Sequence, residues 1–201
     1  MANYIFPPSH NFGISEHEFV TWRNAFTADE ISKLIEICET FPKVDATINS
    51  EGGTIDTEIR DTQIAWIPQN NETIWFYDRL SWIARQLNGE FYKFDLFGFA
   101  EDFQYSVYNE KSNGHYTWHR DAGFLSNGTP PRKLTLVLQL SDPSEYEGGN
   151  LELLTSPAAN IVDKERGMVV AFPSYNLHRV TPVTKGIRKT LVVWVCGPAF
   201  K

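Results

Sequence analysis

The order of apolar and polar positions divides the chain into two parts with different periods. In the first part, Thr27-Ala28-Asp29-Glu30 has the form of a capping box. Apolar residues then follow at helical spacing: Ile31, Leu34, Ile35 and Cys38. This pattern predicts a helix that begins after Thr27 and ends near Phe41-Pro42.

A second helix is predicted further along the same part. Asn71 is placed to cap it, and Asn88-Gly89 to end it. Its apolar stripe comprises Ile74, Leu80, Ile83, Ala84 and Leu87. Two runs in this part have strand character, Glu18 to Trp22 and Ile59 to Ile67, the latter stopped by Pro68.

After Phe94 the helical period gives way to short β-rich runs separated by Gly, Pro, Asn and Asp. The runs are 97–107, 116–121, 133–140, 150–154, 168–172, 178–180 and 190–196. Many short strands with turns between them indicate a sandwich or barrel. We therefore expect a mainly β (α+β) fold, a jelly roll with the two helices packed on one outer face. The chain is expected to form a single domain, 1–201, with 1–92 as support and 93–201 as the jelly-roll core.

Composition limits the classes of function. The chain has 201 residues, 42% of them hydrophobic and 21% charged, and a net charge of −7. This excess of acidic residues argues against a general nucleic-acid or membrane surface. Two cysteines, Cys38 and Cys196, favour buried thiols over a disulfide framework. With no apolar run of membrane-spanning length and no secretory signal in the sequence, a cytoplasmic location is expected.

Candidate metal chemistry lies in the second part. His119 and Asp121 are two residues apart, a spacing that puts both side chains on one face of a strand. With His178 from another strand they form the ligand set of the facial triad that holds non-haem Fe(II). Arg188 follows as a fixed cation suited to a carboxylate. His-x-Asp alone is weak evidence, and the other histidines lack such a setting: His10, His17 and His115.

The neighbourhood of these residues is more specific. The segments Gly167 to Ser174 and His178 to Arg188, followed by Leu191 and Trp194, resemble the prolyl 4-hydroxylase-like branch of the Fe(II)/2-oxoglutarate dioxygenases. Leu140 to Leu151 resembles the bacterial PKHD-type hydroxylases. Tyr108-Asn109, upstream of the His-x-Asp pair, also fits, and the resemblance extends from about Arg60 to Trp194.

The resemblance implies a double-stranded β-helix in which His119, Asp121 and His178 bind Fe(II). It implies that 2-oxoglutarate chelates this iron and that its distal carboxylate binds Arg188. The implied reaction inserts one O₂-derived oxygen into an unactivated C–H bond while 2-oxoglutarate goes to succinate and CO₂. Ascorbate is expected to stimulate it.

Strand alternation selects the residues around the co-substrate. Arg188, Thr190, Val192 and Trp194 share one face, whereas Lys189 points away. In the run 134–140 the four leucines form a core face, and the resemblance implies that the opposite face lines the co-substrate pocket. The predicted co-substrate residues, besides Arg188, are Tyr108, Thr135, Gln139, Val180 and Trp194.

The substrate is less determined. Four residues are candidates to border the mouth of the site: Arg60, Trp66, Trp118 and Phe124. The loops 52–58 and 126–132 are candidate lids. A peptidyl proline is the favoured substrate, and a free amino acid or another small metabolite is the alternative. A jelly-roll metal sensor without turnover also remains open, whereas a zinc hydrolase lacks its usual His-Glu-x-x-His signature.

Overall fold

Two antiparallel β-sheets pack against each other, and two helices cover the outer face of the larger sheet. The computed structural model describes residues 17–48, 54–122, 130–155 and 157–199. The helices are α1 (Ala28–Glu39) and α2 (Ile74–Leu87). The strands are β1 (Val20–Trp22), β2 (Val44–Asp45), β3 (Arg60–Asp61), β4 (Gln63–Ile67), β5 (Phe103–Asn109), β6 (His115–His119), β7 (Arg132–Gln139), β8 (Tyr146–Gly148), β9 (Leu151–Leu154), β10 (Asn160–Ile161), β11 (Val169–Pro173), β12 (Leu177–Val180) and β13 (Val183–Cys196).

The larger sheet has the order β1-β11-β7-β13-β5-β4-β2, with β8 paired to the first part of β13. The smaller sheet has the order β10-β9-β12-β6-β3. This arrangement is the predicted jelly roll. Strands β1 to β4 come from the first 92 residues and extend both sheets.

Helix α1 confirms the capping box. The Thr27 hydroxyl accepts a hydrogen bond from the Glu30 backbone amide at 3.3 Å, and the Glu30 carboxylate accepts one from the Thr27 amide at 2.9 Å. The helix ends at Glu39, just before Phe41-Pro42 as predicted.

Helix α2 differs from the prediction at its first turn. Its N-cap residue is Thr73, without a side-chain cap bond, and not Asn71. In the turn before the helix the Asn70 side chain accepts hydrogen bonds from the backbone amides of Glu72 and Thr73, at 2.8 and 3.1 Å. The α-helix ends at Leu87 as expected, but a π-helical turn, Asn88–Tyr92, continues it.

The predicted strand from Ile59 to Ile67 is divided between the two sheets. Residues Arg60–Asp61 pair with β6 in the smaller sheet, and Gln63–Ile67 pair with β5 in the larger one. One run of β-forming residues therefore crosses from sheet to sheet at Thr62. The run predicted from Phe97 begins as a strand only at Phe103, whereas β13 begins seven residues before the predicted Thr190.

The core confirms the leucine face of β7. Leu134, Leu136, Leu138 and Leu140 are buried against the apolar stripes of the two helices. A second apolar cluster, including Val137, Leu153 and Phe172, fills part of the space between the sheets. Burial of this extent is the main favourable contribution to folding.

Both cysteines are buried free thiols, as expected. Burial raises the pKa of Cys38 to about 12, so this thiol stays protonated at neutral pH. Among the helices that the structure describes, none is long and apolar enough to cross a lipid bilayer.

Candidate active site

Two histidines meet on neighbouring strands of the smaller sheet. His119 at the end of β6 lies directly opposite His178 of β12, and their ring centroids are 4.1 Å apart. Asp121 lies two residues beyond His119, where its backbone amide donates to the Ser174 carbonyl at 3.0 Å. The three side chains offer one ligand atom each, and these atoms all lie within 4.8 Å of one another.

The orientation of both imidazoles suits metal binding. Nδ1 of His119 lies 2.7 Å from the Thr117 carbonyl oxygen, and Nδ1 of His178 lies 3.0 Å from that of Asn176. A carbonyl oxygen only accepts, so in the neutral form of each ring Nδ1 carries the proton and Nε2 keeps a free lone pair. The Nε2 atoms lie 3.8 and 3.5 Å from the oxygens of Asp121. Two imidazole nitrogens and one carboxylate fit Fe(II), with coordination positions left for other ligands.

Charges within the site favour its metal-ready form. Burial, together with the nearby His178, lowers the pKa of His119 to about 3, so the imidazole is neutral at physiological pH. Burial alone would raise the pKa of Asp121. Interactions with His178, His119 and Arg132, together with a hydrogen bond from Thr135, outweigh burial and lower its pKa. The site therefore presents a neutral His119 imidazole beside the ionised carboxylate of Asp121, forms that bind a cation.

The side of the smaller sheet that carries His119 and His178 is called the ligand face below. A β-bulge in β6 changes which residues of that strand lie on it. His178 pairs with His119 but Val180 pairs with Tyr116, so two steps on β12 are opposite three on β6. Tyr116 consequently faces the same side as His119, and their rings stack at 3.4 Å. Trp118 is turned away from this face and lies under the guanidinium of Arg179. His115 also lies off the ligand face, near the carbonyls of Asn113 and Glu58.

The three residues open into a cavity of about 480 Å³ between the two sheets. Arg188 lines it and is only 2% exposed. Its guanidinium lies over the Tyr108 ring at 5.2 Å and donates to the Gln139 side-chain oxygen at 3.4 Å. Burial raises the pKa of Tyr146, and the charge of Arg188 and a hydrogen bond with it offset part of that rise.

The strand register of β13 agrees with the alternation expected from the sequence. Arg188, Thr190, Val192 and Trp194 all line the cavity. Lys189 points to the opposite face, where its ammonium group binds Glu39 of α1 at 2.8 Å. Arg188, and not Lys189, is therefore placed to meet an acid in the cavity.

Most of the other predicted site residues also border this cavity. The lining includes Tyr108, Thr135, Val180, Arg60 and Trp66. Gln139 does not line the cavity but contacts Arg188, which does. Trp118 does not line it either, because it directly precedes His119 and strand alternation points it to the opposite face. Phe124 lies outside the described residues, as do parts of the two candidate lids, residues 52–53 and 126–129.

The sequence reasoning missed one pair in the cavity wall. Arg132 at the start of β7 binds Glu101 through two hydrogen bonds of 2.6 and 2.5 Å. Its guanidinium also lies 3.7 Å from the centroid of the Trp194 ring. No periodic signal marks Glu101, which lies in the irregular segment before β5, so the pair emerges only from the fold.

Comparison with protein families identifies the part of the chain that carries the site. Residues 103–196 match the model of the 2OG-Fe(II) oxygenase superfamily. A PKHD-type hydroxylase from Teredinibacter turnerae is 38% identical over 91 residues, which are 42% of this chain and 39% of that protein. The matched part thus spans about two fifths of that curated relative.

Solved structures share the fold over most of the chain. A Pseudomonas putida prolyl-4-hydroxylase superposes with a TM-score of 0.70 at 21% identity, covering 92% of this chain and 96% of that one. A prolyl hydroxylase from Trichoplax adhaerens, in complex with a hypoxia inducible factor peptide fragment, gives 0.75 at 17% identity, covering 90% and 84%. The jelly-roll prediction and the resemblance found in the sequence are confirmed.

Proposed function

We propose that this protein is an Fe(II)- and 2-oxoglutarate-dependent hydroxylase, because residues 103–196 match the model of the 2OG-Fe(II) oxygenase superfamily. One observation carries the proposal. The His119, Asp121 and His178 side chains and the buried Arg188 line the same cavity, which offers a metal site and an acid-binding site together.

Each of these residues has a definite task in this proposal. The two Nε2 atoms and the Asp121 carboxylate hold Fe(II). Arg188 binds the distal carboxylate of 2-oxoglutarate, since a planar guanidinium offers two parallel donors to a carboxylate. When bound, iron and 2-oxoglutarate supply the oxidising chemistry, in which O₂ is consumed, succinate and CO₂ form, and one oxygen enters a C–H bond.

The surrounding protein orients these groups and limits access of water. Thr135 donates to the carboxylate of Asp121, and the Ser174 carbonyl accepts from the Asp121 backbone amide. Tyr108 and Gln139 contact the guanidinium of Arg188. Val137, Val180 and Val192 add apolar surface to the cavity wall. A dry cavity strengthens the charge interactions within it.

We further propose a peptidyl proline as the substrate. Prolyl hydroxylases with the same fold, one of them solved with a peptide, support this choice. Hydroxylation of a free amino acid or another small metabolite is the alternative within the same chemistry. Trp66 and Trp194, whose ring centroids are 6.1 Å apart in the cavity wall, offer an apolar surface to either kind of substrate.

The test is conversion of 2-oxoglutarate by purified protein with Fe(II), O₂ and ascorbate, with Asp121→Ala as the inactive control. Succinate that depends on iron and on Asp121 supports the oxygenase. Lysate peptides are then searched by mass spectrometry for an added oxygen on proline. If no succinate forms, the oxygenase proposal fails and a metal-binding module without turnover becomes the better account. Succinate formation stimulated by free amino acids alone would overturn the peptidyl substrate.

A further inference from the structure

Five arginines in the described part of the chain place their guanidinium over an aromatic ring: Arg60, Arg79, Arg132, Arg179 and Arg188. Three of them also bind a glutamate at 2.5–2.8 Å: Arg79 with Glu30, Arg132 with Glu101 and Arg179 with Glu152. The usual arrangement in this protein is therefore an arginine held by one ring and one carboxylate.

Arg188 and Arg60 have the ring but no carboxylate within 4.0 Å among the described residues. Both line the cavity, and they are only 2% and 8% exposed. The Nε atom of Arg60 is buried without a hydrogen-bond partner in this part of the chain. A buried guanidinium left in this state is costly, and a carboxylate is its most favourable partner.

When Fe(II) and 2-oxoglutarate occupy the proposed site, the other buried charges balance one another, and the positive charge of Arg60 has no counterpart. Fe(II) and Arg188 carry three positive charges together, and Asp121 with the two carboxylates of 2-oxoglutarate carries three negative ones. Arg132 is neutralised by Glu101. Asp45 also borders the cavity, but it is exposed and screened by solvent. One buried positive charge remains for a further ligand.

The position of Arg60 assigns that ligand to the substrate. Arg60 lies 4.5 Å from the centroid of the Tyr116 ring, which stacks on His119 at 3.4 Å. It comes from β3 of the smaller sheet, whereas Arg188 comes from β13 of the larger one. A group bound to Arg60 would lie beside the Tyr116 and His119 rings, on the sheet opposite the one that carries Arg188.

We propose that Arg60 binds a carboxylate of the substrate and so makes the enzyme selective for acidic substrates. This inference rests on the proposed function. The carboxylate has two sources, the α-carboxylate of a free or C-terminal residue and the side chain of an acidic residue next to the hydroxylated one. Either gives Arg60 the anionic partner that Arg79, Arg132 and Arg179 already have.

The test measures binding without turnover, on protein loaded with Mn(II) and 2-oxoglutarate in the absence of O₂. The probes are matched pairs: L-proline with L-prolinamide, a peptide ending in proline with its C-terminal amide, and an internal Pro-Glu peptide with its Pro-Gln counterpart. We expect the carboxylate member of at least one pair to bind roughly 10- to 100-fold more tightly. The pair that shows the preference identifies the source.

Variants connect that preference to Arg60. Arg60→Gln should abolish it, and Arg60→Lys should keep part of it, since a point charge replaces a fork. Arg179→Gln is the matched control, because Arg179 also lies over a ring, at 4.6 Å, but outside the cavity. It should keep the full preference.

Absence of a preference in all three pairs, or its persistence in Arg60→Gln, would overturn the inference. So would loss of 2-oxoglutarate affinity in Arg60→Gln, which would make Arg60 a co-substrate anchor. Failure of the proposed function would give a different result, since the wild-type protein itself would then bind no 2-oxoglutarate. The inference about Arg60 would fail with it.

Discussion

The hydroxyl of Thr135 donates a hydrogen bond of 2.8 Å to Oδ2 of Asp121. The same hydroxyl lies 2.9 Å from that of Ser174, whose carbonyl accepts the backbone amide of Asp121. The larger sheet thus holds a side chain that follows a strand of the smaller sheet. Partners of this kind fix the orientation of a ligand and tune its affinity for metal.

Thr135→Val removes this hydrogen bond while keeping the shape of the side chain. We expect the affinity for Mn(II) or Fe(II) to fall by roughly 10- to 100-fold. Anaerobic calorimetric titration measures it. Thr190→Val is the control, a buried threonine of the same cavity wall. Equal losses in the two variants would contradict a specific role for the bond to Asp121.

Asp121→Ala should abolish metal binding and leave the fold intact. The two remaining imidazoles supply no negative charge, and removing a metal ligand is decisive for affinity. The same titration, with circular dichroism as a check on folding, measures this. Asp163→Ala, an exposed carboxylate paired with Arg23, should bind metal like wild type. Tight binding by Asp121→Ala would remove this carboxylate from the proposed ligand set.

Arg188→Ala should raise the KM for 2-oxoglutarate by roughly 100-fold or more while metal affinity is kept, because a bidentate charge-assisted pair is lost. Arg188→Lys should recover only part of the loss. Lys189→Ala should change this KM little, since Lys189 binds Glu39 on the other face. Succinate formation against 2-oxoglutarate concentration compares all three. A large effect confined to Lys189→Ala would refute the assignment of the anchor.

Gly149→Ala should weaken binding of 2-oxoglutarate and destabilise the protein. Gly149 has a φ of +56°, and an added Cβ would lie 2.9 Å from both Cδ of Arg188 and Cγ2 of Val183. The new methyl group would therefore displace the guanidinium stem. Gly89→Ala is the control, for its Cβ would meet nothing within 4 Å. Thermal unfolding and 2-oxoglutarate titration check both variants, and an unchanged Gly149→Ala would contradict the close approach.

Glu30 should contribute a pH-dependent part of the stability. Hydrogen bonds from Arg79 and from the Thr27 amide lower its pKa from 4.5 to about 2. Its stabilisation is therefore complete above pH 4.5 and is lost as the pH falls through about 2. Glu30→Gln should cost about 1–2 kcal/mol at pH 7, after allowance for solvent screening, and less at pH 3. Urea unfolding at the two pH values tests this, with the exposed Glu36→Gln as a control that should cost little at either.

Local signals predicted those parts of the fold that depend on local physics. The capping box at Thr27 and the leucine face of β7 are each set by residues close together in sequence, and both are confirmed. The assignment of Arg188 rather than Lys189 to the cavity face follows from the two-residue period of a strand. These features needed no knowledge of the rest of the chain.

Features that depend on contacts between distant segments were out of reach. The crossing from one sheet to the other at Thr62 depends on the partners β5 and β6, which come 40 or more residues later. The bulge that turns Tyr116 to the side of His119 depends on pairing with β12, so Tyr116 was not predicted to line the site. The pairing of Arg132 with Glu101 likewise joins two segments that no common pattern marks.

The extra residue in β6 lies between Tyr116 and His119, so it does not change the spacing of His119 and Asp121. Tyr116 and His119 are three positions apart, an odd separation that a regular strand would direct to opposite faces. A chain shortened by one residue at 117 or 118 would keep both rings in the cavity on an unbroken strand. An aromatic residue three positions before a metal-binding histidine, where a regular strand would need two or four, is therefore a sign of a bulge that can be sought in other sequences.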